Sequence, residues 1–156
     1  MAVGDVLELA GSRVTKKITR IGGGTMPPTG STVRVHYTGK LVDGTVFDTS
    51  RKRGTPIAFA LGQGQVIAGW DRGVASMSVG EQAILTIAPE FGYGNSATGP
   101  IPADSTLVFE VELVDWKAAS VWKPLITRFL VCLAAVVFAL FNISQFRVTE
   151  RVGAFD

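Results

Sequence analysis

The residues of this sequence that could carry chemistry are mostly aromatic. The stretch 66–74, VIAGWDRGV, places Trp70 directly after Gly69 and directly before two charged residues. A glycine at that point lets the backbone approach closely, so the indole could form the floor of an apolar cup. Five further rings come from separate stretches of the chain: Tyr37, Phe47, Phe59, Tyr93 and Phe109. The pattern alone leaves two interpretations open, a binding cup and plain core packing.

Polar residues suggest little other chemistry. His36 is the single histidine and lies on the polar side of an alternating stretch, with no evident Ser or Cys partner, which disfavours nucleophilic catalysis. Asp48 has no second carboxylate placed by motif to pair with it. The basic run 51–53 fits a solvated loop better than an anion site. One histidine and the single Cys132 supply no metal-ligand set, so neither a metal nor a cofactor is predicted.

Composition describes an ordered protein with no nucleic-acid footprint. Of 156 residues, 47% are hydrophobic and 18% are charged, a composition typical of ordered globular proteins. Residues 1–120 contain eleven basic and eleven acidic side chains, and the net charge of +2 comes from the remainder. No basic face is visible in that larger part, so nucleic acid is not predicted as a partner.

Positions 14–116 read mainly as strands. Alternation over 32–41 puts Val33, Val35 and Tyr37 on one face, and Asp43-Gly44 marks a hairpin turn. Further strands are predicted at 14–21, 45–47, 57–61, 82–88 and 105–116. One short helix, 70–77, repeats Trp70, Val74 and Met77 at helical spacing. The predicted fold class is α+β, with about five or six antiparallel strands packed on one helix.

The end of the chain differs in character. Residues 125–143 form a 19-residue apolar stretch, which as a helix would extend about 28 Å, close to a bilayer's hydrocarbon thickness. Trp116, Trp122 and flanking Lys and Arg residues resemble interfacial anchors. A separate C-terminal transmembrane helix is therefore predicted, with packing on the domain or dimerisation as the alternative.

The remaining boundaries follow from these segments. We predict a lead segment 1–13, a domain 14–116, a linker 117–124, the span 125–143 and a polar tail 144–156. The lead segment lacks the basic start and uninterrupted apolar core of a secretory signal peptide. The localisation expected from this is a single-pass, tail-anchored membrane protein with its domain in the cytosol.

Four motifs in fixed order carry a resemblance to a known family. They are VHYTGKLVDGTVFDTS at 35–50, PIAFALGQGQVIAGWDRGVASMSVGE at 56–81, FGYG at 91–94 and IPADSTLVFEVELV at 101–114. Over 14–116 the chain closely resembles the FKBP-type peptidyl-prolyl cis-trans isomerases. The resemblance implies an antiparallel half-barrel wrapped around a short helix. It also implies an enzyme that accelerates rotation about X–Pro bonds.

The resemblance also assigns residues to a pocket. It implies catalytic roles for Asp48, Trp70 and Tyr93, with Trp70 beneath the proline ring and Arg53 as a basic partner of Asp48. It implies substrate or ligand contacts for Tyr37, Phe47, Phe59, Val66, Ile67 and Phe109. The resemblance further implies that Phe59 supports the pocket, and that the Ile67 N–H and the Tyr93 hydroxyl donate hydrogen bonds to ligand carbonyls.

Three departures from the family pattern bear on affinity and substrate preference. Ile57 and Gln65 stand where well-known members have a phenylalanine and an acidic residue, and the loop 95–100 is one residue shorter and lacks a histidine. The partners implied are Pro-containing peptides and client proteins, rapamycin-type macrolides as inhibitors, and a lipid bilayer through 125–143. A membrane-anchored scaffold or a chaperone using the same pocket remains an alternative to the isomerase.

Overall fold

A computed structural model of the chain describes residues 2–119. In chain order the strands are β1 (Val6–Glu8), β2 (Val14–Arg20), β3 (Thr32–Leu41), β4 (Val46–Thr49), β5 (Ile57–Ala60), β6 (Gln82–Ile87) and β7 (Leu107–Lys117). The helix α1 (Ala68–Ala75) lies between β5 and β6, and a 3-10 turn covers Pro89–Phe91.

These strands form one antiparallel sheet. Its order is β1-β2-β6-β7-β3-β4, with β5 pairing the first half of β3 where β4 pairs the second half. The long central pair, β3 with β7, alternates as predicted: Val33, Val35 and Tyr37 are buried. Because alternate residues of a strand face opposite sides, this pair supplies one wall of the core along its whole length.

Helix α1 packs on the buried face of that sheet. It buries Gly69, Trp70, Gly73 and Val74, and an added side chain at Gly69 or Gly73 would collide with Ile87 or Leu85 of β6. Helix and sheet therefore approach closely at two glycines on one helix face. The helix begins and ends two residues earlier than predicted, because Ile67 is already its N-cap and Ser76 its C-cap.

One expectation on the fold needs correction. The sheet has seven strands where about five or six were predicted. The additional strand is β1, which pairs with β2 in register Val6 to Lys17 and lies inside the predicted lead segment 1–13. Only the middle one of its three residues, Leu7, is partly buried, so backbone pairing defines this strand more than side-chain burial does.

The predicted helix at 125–143 lies outside the described residues, as do the tail 144–156 and most of the linker. Among residues 2–119, no helix has the length and apolar character needed to cross a membrane.

Candidate functional site: an aromatic cup at the start of the helix

A cavity of about 400 Å³ opens where α1 begins. Its walls combine aromatic and aliphatic side chains with a few polar groups, which is the usual make-up of a small-molecule site. The lining residues are Tyr37, Phe47, Asp48, Ile57, Gln65, Val66, Ile67, Trp70, Tyr93, Thr98, Gly99, Pro100, Ile101 and Phe109.

Trp70 lies at the bottom of the aromatic cluster and is only 4% exposed. Tyr37 and Phe109 meet it edge to face, with ring centroids 5.0 and 5.2 Å away and interplanar angles of 82° and 88°. Edge-to-face contacts of this kind stabilise aromatic clusters beyond their buried area. The indole N–H is buried and has no hydrogen-bond partner within residues 2–119. The floor therefore presents an apolar ring rather than a polar handle.

Phe59 differs in position from the other predicted contact residues. It is buried on β5 and does not line the cavity, but its ring centroid lies 5.9 Å from that of Trp70. It lies against the indole, in the supporting position that the resemblance implies for it.

A β-bulge brings Phe47 and Asp48 to the same wall. Gly39 pairs with Asp48 and Lys40 pairs with Val46, so Phe47 is the extra residue on β4. Consecutive residues of a regular strand face opposite sides of the sheet, whereas a bulge redirects one of them. As a result a ring and a carboxylate, adjacent in sequence, both line the cavity.

The carboxylate of Asp48 is held by Tyr37 and Arg53. The Tyr37 hydroxyl donates to Oδ2, Arg53 Nη1 lies 2.7 Å from Oδ1, and Arg53 Nη2 donates to the Tyr37 hydroxyl at 3.0 Å. The hydrogen bond from Tyr37 and then that from Arg53 hold the pKa of Asp48 below its ordinary value, although partial burial opposes the shift. Burial, followed by the neighbouring carboxylate, raises the pKa of Tyr37. The pair thus stays a phenol and a carboxylate near neutral pH.

A further part of the cavity lining comes from the segment leading into α1. Asp71 accepts hydrogen bonds from the amides of Gly62, at 2.9 Å, and Gly64, at 3.1 Å. Both glycines have positive φ, a conformation that other residues adopt at a cost. These two hydrogen bonds fix the turn that precedes Val66 and Ile67, both of which line the cavity.

A tight turn also contributes to the cavity lining. Thr98 and Ile101 exchange backbone hydrogen bonds of 2.9 and 3.0 Å, and both line the cavity together with Tyr93. From the sequence, 95–100 was identified only as a shortened loop. The signal available in the sequence was Ile101, an apolar residue between two prolines. In the structure it is buried, with 5% of its surface exposed.

The structure brings together most of the residues that the sequence assigned to the site. The cavity collects Tyr37, Phe47, Asp48, Val66, Ile67, Trp70, Tyr93 and Phe109. Ile57 and Gln65, which were noted only as departures from the family pattern, also line it. The ion pair implied between Arg53 and Asp48 is present. Residues 98–100 were missed because nothing in their types distinguishes a lining turn from a free one.

His36 requires a correction, because it does have a serine neighbour. Its Nδ1 lies 3.0 Å from the hydroxyl of Ser50, which also accepts the Tyr37 amide at 2.8 Å. Ser50 is fully buried, so its hydroxyl is not accessible to a substrate. The contact ties β3 to the end of β4 and gives no support for nucleophilic catalysis. Among residues 2–119 no three His, Cys, Asp or Glu side chains come together to hold a metal ion.

The basic run 51–53 remains on the surface, as expected of a solvated loop, but two of its side chains form ion pairs. Arg51 Nη2 lies 3.0 Å from Glu112 Oε2 on β7, and Arg53 holds Asp48. Arg53 does not line the cavity itself, but it pairs with Asp48, which does.

Comparisons with known proteins agree with this geometry. Residues 23–114 match the family described as FKBP-type peptidyl-prolyl cis-trans isomerase. The chain is 60% identical over 101 residues to FK506-binding protein 1 of Dictyostelium discoideum, covering 64% of this chain and 94% of that one. It is 49% identical over 111 residues to FK506-binding protein 1 of Aspergillus oryzae, covering 65% of this chain and 96% of that one.

Among solved structures, the crystal structure of FkpA from Escherichia coli matches with a TM-score of 0.66 and 39% sequence identity. The match covers 73% of this chain and 52% of that one, about half of the bacterial protein's length. The motifs, the aromatic cup and the family match over most of the described residues lead to one assignment. The chain belongs to the FKBP-type peptidyl-prolyl cis-trans isomerases and is an enzyme of that class.

Proposed function

We propose that the aromatic cup binds the proline ring of an X–Pro segment on Trp70 and catalyses rotation of the preceding amide. The observation that carries this proposal is the cavity itself. It is open, about 400 Å³ in volume, and lined at its base by a buried indole flanked by two further rings. A pyrrolidine ring is small and apolar enough to rest on such a floor.

The chemistry requires no covalent bond to the substrate. The barrier to amide rotation is about 18–20 kcal/mol because resonance gives the C–N bond partial double-bond character. A twisted amide has lost that resonance and much of its charge separation. An apolar cup therefore binds the twisted form more favourably than the planar form, which prefers water, and only such differential binding accelerates the step.

Two donors at the lip would fix the substrate carbonyls on either side of the rotating bond. Ile67 is the N-cap of α1, and its amide donates no hydrogen bond within residues 2–119. The Tyr93 hydroxyl likewise has no hydrogen bond among the described residues, and Tyr93 is 40% exposed. Holding neighbouring carbonyls while the ring stays seated biases the bound peptide toward the twist.

Asp48 forms the polar part of the wall. Its carboxylate is oriented by Tyr37 and Arg53 and remains ionised, so it can favour the partial positive charge on substrate N–H or C–H groups. It is not positioned as a general acid, since its pKa is lowered rather than raised.

The first test compares Trp70→Leu with Trp116→Leu in an isomerisation assay on a short Xaa-Pro peptide. Trp116 makes a matched control because it is a partly buried tryptophan that does not line the cavity. We expect kcat/KM to fall by about 10- to 100-fold for Trp70→Leu and to change little for Trp116→Leu. Equal activity of the two variants would refute the site assignment.

Macrolide binding supplies an independent test of the same site. The relatives carry the name FK506-binding protein, and we propose that rapamycin-type macrolides compete with the peptide for this cup. Inhibition should weaken in Trp70→Leu and not in Trp116→Leu. Inhibition that is unchanged in both variants would place the macrolide elsewhere.

We further propose that residues 125–143 tether the enzyme to a bilayer. The support comes from their 19-residue apolar sequence.

Carbonate extraction of membranes from cells expressing the full chain tests the tether. Retention in the pellet, with loss of retention when 125–143 is replaced by a polar sequence, is the expected result. Release of the intact chain into the supernatant would overturn the tether and would favour packing or dimerisation of that segment. The isomerase proposal does not depend on this outcome.

A further inference from the structure

Gly39 occupies a crowded point between three strands. It lies on β3 opposite Asp48 of β4 and opposite Phe109 of β7. Its φ is outside the positive range that favours glycine, so its backbone conformation is one that any residue can adopt. A glycine is therefore required here because there is no room for a side chain.

The rings of the cup fill that space. A Cβ at position 39 would lie 2.6 Å from Cε2 and 2.7 Å from Cζ of Phe47, and 2.8 Å from Cε1 of Phe109. Ordinary carbon contacts begin at about 3.4 Å, so both rings would have to move. No other glycine within residues 2–119 has two cavity-lining rings among its nearest atoms.

The two rings depend on each other and on the floor. Phe47 meets Phe109 edge to face at 5.6 Å and 87°, and Phe109 meets Trp70 at 5.2 Å and 88°. The bulge has already turned Phe47 toward the cavity. A ring displaced from Gly39 therefore moves into the cup or presses on the indole, since interiors this dense do not absorb an extra methyl group freely.

We propose that Gly39 is a positioning residue, whose bare backbone seats the Phe47 and Phe109 rings and so sets the width of the cup. The proposal rests on the proposed function, because the consequence it names is a change in X–Pro turnover. Gly39 itself does not touch the substrate in this view. It acts through the two rings that do.

The principal variant is Gly39→Ala, and its matched control is Gly24→Ala. An added Cβ at Gly24 would lie 2.6 Å from Val79 Cβ, an overlap of the same size, and Gly24 also lacks a positive φ. We expect Gly39→Ala to lower kcat/KM by about 10- to 100-fold and to weaken macrolide binding. Gly24→Ala should leave both unchanged. Gly39→Ala with kcat/KM within twofold of the parent would overturn the proposal.

A rescue variant separates positioning from general damage to the fold. Phe47→Leu removes the two ring atoms that approach position 39 most closely and leaves room for Phe109 to move aside. Phe47→Leu alone should lower activity, yet Gly39→Ala/Phe47→Leu should be more active than Gly39→Ala. Losses that simply multiply would show that the two residues act independently, and the proposal would fail.

The remaining outcomes are also informative. If Gly39→Ala does not fold, a folded and active double variant still supports the proposal, and an unfolded double variant overturns it. If the parent protein lacks isomerase activity, the proposed function fails by itself. Gly39 is then judged by the nuclear Overhauser effects between the Phe47 and Phe109 rings, which should change in Gly39→Ala and not in Gly24→Ala. Unchanged effects would refute the positioning role.

Discussion

Two ion pairs sit near opposite ends of helix α1, and they differ chiefly in burial. Lys16 and Glu81 lie near its carboxyl end, with side chains 0% and 6% exposed. Arg53 and Asp48 lie at the cup near its amino end, with side chains 51% and 43% exposed. Their closest N–O distances are nearly equal, 2.8 and 2.7 Å. Pairing alone therefore does not determine what each contributes.

The Lys16 pair is a structural clamp. Its Nζ donates to Glu81 Oε1 at 2.8 Å and to the Ser76 carbonyl, at the end of α1, at 2.6 Å. The other carboxylate oxygen of Glu81 accepts the Ser78 amide at 3.0 Å. This buried network connects strand β2, the end of the helix and the turn before β6. If one partner is removed, the charge of the other has no access to solvent.

The Asp48 pair has a different balance. Water reaches both side chains, so breaking the pair leaves no buried charge without a partner, and the free energy of unfolding changes little. What the pair fixes is the direction of a carboxylate that lines the cup. We therefore expect loss of one partner to affect mainly stability at the buried pair and mainly the orientation of the Asp48 carboxylate at the exposed pair.

The largest expected effect comes from breaking the buried pair. Lys16→Met leaves Glu81 charged and unpaired, and we expect the free energy of unfolding to fall by about 3–5 kcal/mol in urea titrations. Lys17→Met is the matched control, because Lys17 is the next residue and is exposed on the opposite face of β2. Its effect should stay within about 0.5 kcal/mol.

Replacing both partners sharpens that comparison. Lys16→Met/Glu81→Leu removes both charges, so much of the stability lost in Lys16→Met should return. The kcat/KM of folded Lys16→Met should equal that of the parent, since this pair does not line the cup. A loss below about 1 kcal/mol in Lys16→Met would show that the burial argument is wrong.

A smaller effect, and on a different observable, is expected from the exposed pair. Asp48→Asn keeps the shape of the side chain but removes its charge. We expect kcat/KM to fall about tenfold, equivalent to about 1.4 kcal/mol in the transition state, while unfolding changes by less than about 1 kcal/mol. Peptide isomerisation measures the expected fall in kcat/KM, and urea unfolding of the same preparation measures the expected small change in stability. A loss of stability larger than the loss of transition-state binding would erase the distinction between the two pairs.

The sequence predicted the elements better than the contacts between them. Alternation placed Val33, Val35 and Tyr37 on the core face, and the Asp43-Gly44 turn was visible in the residue types. The same alternation over Val14, Lys16 and Ile18 puts a lysine on the core face, but its partner is 65 residues away and carries no local signal. Long-range polar pairs depend on the assembled sheet, which no periodicity reveals.

The site shows the same limit. A strand pattern read by alternation assigns Phe47 and Asp48 to opposite faces, and only the register shift against β3 explains why both line the cup. The resemblance to the family supplied these two residues, whereas residue periodicity would have separated them. The need for Gly39 depends on rings from two other strands, so it too appears only once the sheet is assembled.

The smallest expected effect is the pH dependence of the exposed pair. Because the pKa of Asp48 is lowered in the folded protein, its ionised form contributes stability above the unfolded-state value of about 3.9. That contribution is lost as the pH falls through the lower, folded pKa. The raised pKa of Tyr37 keeps its phenol protonated over the same range, so the hydrogen bond to Asp48 persists until the carboxylate itself takes up a proton. Between about pH 5 and 8 we therefore expect no change in kcat/KM from this group.

Arg53→Leu turns this pH dependence into a test of the pair, because removing the guanidinium removes two of the causes that lower the pKa of Asp48. The fall of kcat/KM at acid pH should begin at a higher pH in Arg53→Leu than in the parent, and it should be absent in Asp48→Asn. Arg51→Leu, which removes the neighbouring pair with Glu112, should keep the parent profile. Circular dichroism at each pH separates loss of activity from acid unfolding. If the profiles of Arg53→Leu and the parent coincide, Arg53 does not set the ionisation of Asp48, and its place beside the cup is structural only.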